Sequence, residues 1–151
     1  MSNQELRAKD PLSHIESAML DMPQVDASTS HYFGPSIYIR EVTLPTGAFV
    51  VGHHHKTAHM NIMIKGVIDM LYEDGTTEIL RAPLVLESGP GRKACYVIEE
   101  CVWQNIHATE ERNIDKLEEM LLTKSEAWTN HQQRYLLAKL KADSLNLIEV
   151  A

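Results

Sequence analysis

Residues 47–66 read GAFVVGHHHKTAHMNIMIKG, and this stretch decides the fold. Two strand-like runs, Ala48–Val51 and Met60–Lys65, sit between Gly47 and Gly66, with His53, His54, His55 and His59 between and at the edge of them. Side chains alternate along a strand, so His53 and His55 point to one face and His54 to the other. His59 opens the second run and returns to the face of His53 and His55 across a tight connection. Three imidazoles converging in this way would hold a divalent metal and leave positions open for water or substrate. A polar, solvated loop without metal is the alternative, and spacing alone leaves both open.

Working outward, the neighbours are strands as well. Ile37–Leu44 is rich in β-branched and aromatic residues and stops at Pro45-Thr46-Gly47. Val67–Tyr72 runs into Glu73-Asp74-Gly75-Thr76, where Asp-Gly signals a hairpin. Thr77–Leu80, Leu84–Leu86, Ala94–Glu99 and Val102–Ala108 complete a set of about eight short strands, the pattern of an antiparallel sandwich or barrel. Alternation also extends the pocket. If His59 faces inward so do Asn61 and Met63, while Met60, Ile62 and Ile64 face the other way. On the last strand His107 shares a face with Cys101, Trp103 and Asn105, a polar face suited to a barrel interior; an ordinary part-buried histidine is the competing account. The predicted ligand pocket is Asn61, Met63, Tyr96, Trp103, Asn105 and His107, with Arg92 and Lys93 as candidate anion contacts.

The spacing Gly47, His53, His55, His59, Gly66 resembles the first motif of the cupin superfamily, in which the position of His59 is usually Glu. The resemblance covers roughly residues 37 to 108, and the stretch is similar to small stand-alone cupin-like proteins of bacteria and bacteriophages. It implies a mainly β chain, a cupin-type jelly-roll (double-stranded β-helix) barrel with a short N-terminal helix and C-terminal helices. It also implies one divalent transition metal (Fe, Mn, Ni or Zn) on His53, His55 and His59. The second cupin motif, Pro-x-Gly-x-x-His, would run through Gly89 to Ala94; Gly91 is kept, but Ala94 stands where a metal-binding histidine belongs. A shifted register would let His107 substitute.

Helical periodicity appears only at the ends. Leu12–Asp21 reads as a short helix with Ser13 as N-cap and Glu16 completing a capping box. A loop follows, marked by Pro23, Ser28-Thr29-Ser30, Gly34 and Pro35. After Asn113, Ile114, Leu117, Met120 and Leu121 recur at helical spacing, as do Trp128, Tyr135 and Leu136, giving two helices broken near Leu122–Ser125. The chain thus divides into an N-terminal extension (1–36), the barrel (37–109) and a helical extension (110–151).

Composition narrows the function. The 151 residues are 44% hydrophobic and 23% charged, enough for one domain with its own core. A net charge of −7 with scattered Lys and Arg argues against a nucleic-acid partner. No apolar run approaches the roughly 20 residues of a membrane span. Met1–Pro11 contains no apolar signal region. Cys95 and Cys101 read as buried reduced thiols, and a cytoplasmic location is expected. Two functions lead, with a structural or assembly role built on Met60, Ile62, Ile64 and the terminal helices as a third. One is a metal-binding cupin acting on a small molecule as an enzyme. The other is non-catalytic binding or sequestration of a small molecule, for example a signalling nucleotide, favoured by the missing motif Glu and the missing second-motif histidine. Whether a reaction is catalysed stays open. A homodimer or larger homo-oligomer is expected, to cover Trp128, Tyr135 and Leu136.

Overall fold

The computed structural model describes residues 11–150, and the side chains of residues 12–143. Residues 1–10 of the predicted N-terminal extension, and Ala151, lie outside the described residues. Nine strands and three helices follow in chain order among those described. They are α1 (Pro11–Leu20), β1 (Ser28–Gly34), β2 (Ile37–Leu44), β3 (Phe49–Val51), β4 (His54–His55), β5 (His59–Tyr72), β6 (Thr77–Arg81), β7 (Leu84–Ser88), β8 (Lys93–His107), α2 (Ile114–Leu121), β9 (Leu122–Thr123) and α3 (Glu126–Val150).

Two long strands organise the barrel. β5 and β8 pair antiparallel from Met60↔Ile106 to Tyr72↔Lys93, and each bends midway and serves two layers. In one layer, the first half of β5 pairs with β7 and the second half of β8 pairs with β2, which β1 extends. In the other layer, the second half of β5 pairs with β6 and the first half of β8 with β3. The result is a mainly β jelly-roll barrel, a double-stranded β-helix.

The bend is built by a glycine. Register shifts occur between Met63 and Ile68, and Gly66 sits among them at φ +101, a conformation that costs a side-chain-bearing residue. A Cβ at Gly66 would lie 2.7 Å from the Glu99 carbonyl and would also collide with the Glu100 carbonyl. Sequence reading places strand ends at Gly66 and at Glu99-Glu100. The structure instead runs β5 and β8 straight through, bent where each crosses from one layer to the other.

The predicted loop at Ser28–Gly34 is a strand, paired with β2 from Ser28↔Thr43 to Gly34↔Ile37. Its Ser, Thr and Gly content resembles a turn, but an edge strand needs only backbone partners, and β2 supplies them. The inner faces of both layers meet in one core including Val42, Met63, Ile68, Val97, Cys101 and Trp103. Met60 and Ile64 face outward, as alternation requires.

The helices close one end of the barrel. α1 begins at Pro11, so Ser13 lies inside it rather than capping it. The Glu16 carboxylate does not complete a capping box. It is buried, pairs with the Arg92 guanidinium and accepts a hydrogen bond from the Ser125 hydroxyl just before α3. Arg92 donates its Nε–H to the Gly52 carbonyl at 2.6 Å. This carboxylate therefore joins α1, the barrel rim and the start of α3. β9 pairs with β4 and ties α2 and α3 beside the histidines. No helix among the described residues is long and apolar enough to cross a membrane.

Candidate metal and ligand site

The barrel holds a half-open cavity of about 280 Å³. Its depth is apolar, formed by Leu44, Ile68, Met70 and Trp103, and its mouth is polar, formed by the histidines, Asn61, Asn105, Arg40 and Lys93. α2 covers the mouth: Leu117 is fully buried there, and Leu121 and Leu122 complete the cover.

Three imidazoles from three strands gather at the mouth. Met60↔Ile106 and Asn61↔Asn105 are cross-strand pairs, which brings the start of β5 beside the end of β8. The ring centroids of His59 and His107 are 5.0 Å apart. His55, on β4, stacks on His59 at 4.3 Å and faces His107 at 6.0 Å. The Nδ1 of His59 lies 3.0 Å from the Thr57 carbonyl. A carbonyl only accepts, so Nδ1 carries the proton, which leaves the Nε2 lone pair for a ligand. The Nδ1 of His55 is buried without a hydrogen-bond partner.

Burial sets the charge of the cluster. It pushes His55 down to about 3, helped by the charges of His59 and His107. It pushes His107 down to about 4, helped by His59, and also lowers His59. Near neutral pH these rings are uncharged, the form that ligates metals.

The predicted site residues divide as follows. His53 lines the same cavity, but its ring meets Trp128 edge-on at 4.9 Å, and burial there holds it down at about 4. His54 is exposed on the opposite side of the chain. Asn61 is buried and donates to the Ser88 hydroxyl. Trp103 donates its indole N–H to the Asn105 carboxamide at 3.1 Å, and both line the cavity. Met63 is fully buried core filling rather than pocket wall. Tyr96 is 45% exposed on the outside of the barrel, because its strand neighbours Cys95 and Val97 take the inward positions. Arg92 is spent on Glu16, whereas Lys93 does reach the cavity and donates to the Ser88 hydroxyl.

Sequence reasoning missed Tyr38, Arg40 and Ser88. Tyr38 stacks on His107 at 6.1 Å and shares a 2.7 Å hydrogen bond with His31 Nδ1, extending the cluster outward. The signal for Arg40 was available, since Tyr38, Arg40, Val42 and Leu44 alternate onto one face of β2.

The donor chemistry fits a borderline transition metal: three neutral imidazoles, one with its tautomer fixed by a backbone carbonyl. As the side chains stand, however, no three His, Cys, Asp or Glu among the described residues are grouped closely enough to hold an ion. Nor does a carboxylate share the cavity, apart from Glu118 at the rim, which is paired with Lys124 at 2.7 Å.

No family model matches the chain. No curated protein sequence matches it either. Solved structures resemble it in arrangement. An RmlC-like cupin family protein with a double-stranded β-helix fold from Methanocaldococcus jannaschii is 14% identical, covering 59% of this chain and 85% of that one, with a TM-score of 0.48. KdgF from Halomonas sp. is 15% identical over 63% of this chain and 89% of that one, with a TM-score of 0.48. A cupin domain from Bordetella pertussis Tohama I is 15% identical over 58% of this chain and 98% of that one, with a TM-score of 0.46. The strand order and pairing of this chain are those of a double-stranded β-helix whose two layers share β5 and β8.

Proposed function

We propose that the barrel is a small-molecule binding site whose mouth takes up one divalent transition metal on His55, His59 and His107, with His53 as a further imidazole on the same cavity wall. The gathering of three uncharged rings from β4, β5 and β8 at the polar end of the barrel cavity carries this reading. Such a metal, when bound, supplies a Lewis acid to the cavity. The chain's own residues do the rest: the Thr57 carbonyl orients His59, α2 packs over the mouth, and Asn61 and Asn105 present polar groups to whatever enters, Asn105 being held by the Trp103 indole N–H.

A second reading has its own support. With Ala94 at the second-motif position and, among the described residues, Glu118 as the cavity's one carboxylate, paired with Lys124, the site also suits binding without chemistry. Elemental analysis of protein purified without an affinity tag, followed by titration with Fe(II), Mn(II), Ni(II) and Zn(II), separates the two. About one ion per chain supports the metal site. No metal and no uptake leaves the metal-free binder.

A further inference from the structure

The cavity wall carries charge of one sign that the barrel leaves unanswered. Three charged side chains reach it: Arg40, Lys93 and Glu118. Glu118 is neutralised at the rim by Lys124. Arg40 is half-buried on the inward face of β2 and, among the described residues, its guanidinium has neither a hydrogen bond nor an ion pair. Lys93 is half-buried too, and its ammonium has one partner, the neutral hydroxyl of Ser88. Two positive charges thus face the interior of a barrel whose chain has a net charge of −7.

Their placement is directional. Arg40 pairs across the sheet with Asn105, next to the Tyr38↔His107 pair, so it flanks the imidazoles from β2. Lys93 bonds Ser88, the cross-strand partner of His59, so it flanks them from β7 and β8. Half-buried cations without a counter-charge are poised to meet an anion, and a guanidinium with its donors free is the group best shaped for a carboxylate or phosphate. Below the cations the wall turns apolar, at Leu44, Ile68, Met70 and Trp103.

We propose that the cavity binds a small organic anion, its carboxylate or phosphate head held between Arg40 and Lys93 beside the imidazoles and its apolar or aromatic body laid against Leu44, Ile68, Met70 and Trp103. This rests on the reading of the cavity as a binding site, and it does not require the metal. At about 280 Å³ the cavity lies at the small end of ligand pockets, which run from about 300 to 1,000 Å³. It therefore suits a single ring with its head group and not a dinucleotide.

The test is calorimetric titration of the full chain, treated with EDTA and then repeated after loading with Zn(II). The probes are phenyl phosphate, benzoate, the uncharged benzamide and inorganic phosphate. Phenyl phosphate or benzoate should bind at least about tenfold more tightly than benzamide, since charge-assisted hydrogen bonds supply the difference. The stronger of the two anions identifies the head group. Inorganic phosphate should bind more weakly than phenyl phosphate, because it lacks the apolar body. Arg40→Gln and Lys93→Gln should each erase most of the anion-over-benzamide ratio. Lys65→Gln, which removes an exposed charge outside the cavity, should leave that ratio intact. Circular dichroism confirms that each variant is folded. Equal binding of anions and benzamide, a ratio unchanged in the Arg40→Gln/Lys93→Gln double variant, or no binding of any anion at millimolar concentration overturns the proposal. Anion selectivity in EDTA without metal uptake would sink the metal site and leave the anion site standing; metal uptake without anion selectivity does the reverse.

Discussion

Replacing Glu16 by Gln tests whether one buried ion pair holds the helices over the barrel mouth. The Glu16 and Arg92 side chains are each 7% exposed, so the pair is sheltered from water and salt. The substitution keeps the shape of the side chain and removes its charge. Arg92 would keep its hydrogen bond to the Gly52 carbonyl but lose its counter-charge in a buried setting. Removing one member of a buried pair costs about 3 to 5 kcal/mol, and the retained carbonyl and the remaining amide hydrogen bond place the cost here near 3 kcal/mol. For a domain of this size about 3 kcal/mol lowers Tm by about 6 to 12 °C. Glu16 also accepts from Ser125 at the start of α3, so the loosening should be local first. Urea and thermal melts would give the stability change, and hydrogen exchange over residues 114–143 should accelerate before the β5–β8 ladder does. A double replacement, Glu16→Met with Arg92→Met, should cost less than the sum of the two singles, because it leaves no uncompensated charge. A loss below about 0.5 kcal/mol for Glu16→Gln, or additive single replacements, would refute the claim that this pair anchors the helices.

Gly66→Ala should destabilise the barrel by more than about 2 kcal/mol or prevent folding, since a Cβ at φ +101 meets two backbone carbonyls at the β5 bend; a melt within error of the parent would contradict this. Stability should fall on acidification. His53, His55 and His107 are held at about 4, about 3 and about 4 in the folded state, below their unfolded value of 6.5. The unfolded chain therefore binds more protons, and stability is complete above that value and lost as pH falls from 6.5 towards 4. Discounted by half for partial exposure, the loss is about 1 kcal/mol per imidazole by pH 5, and a flat urea midpoint between pH 7 and 5 would contradict it. The outward Met60, Ile64 and Val85, together with Tyr135, Leu136 and Leu137 on α3, remain exposed, so light scattering at micromolar concentration should report a homodimer or larger; a monomer would contradict that expectation.

Much of this architecture was legible because the β signal is local. Ile37–Leu44 and the Asp74-Gly75 hairpin carry their own alternation and turn chemistry, and the structure places β2 and β6 at those positions. Parity along the histidine run separated His54 from His53 and His55, and the structure keeps that separation. What stayed hidden depends on distant partners. β1 has a turn-like composition and exists through its pairing with β2. Gly66 and Glu99-Glu100 look like strand ends and turn out to be bends, because a glycine at positive φ lets a long strand change layer. The place of His107 beside His59 follows from the β5–β8 register, which no window of sequence contains. Arg92 resembled an anion contact until Glu16, 76 residues away in sequence, claimed it.

In the proposed site, His55, His59 and His107 act as one metal-binding unit at the barrel mouth while His54 stands outside it. Zn(II) titrations of the folded His54→Ala, His55→Ala, His59→Ala and His107→Ala variants test it directly. The three inward replacements should each weaken binding by at least about tenfold, the scale of losing one ligand or its support, and His54→Ala should match the parent. A loss in His54→Ala equal to that in His59→Ala, or unchanged affinity in His107→Ala, would contradict the account.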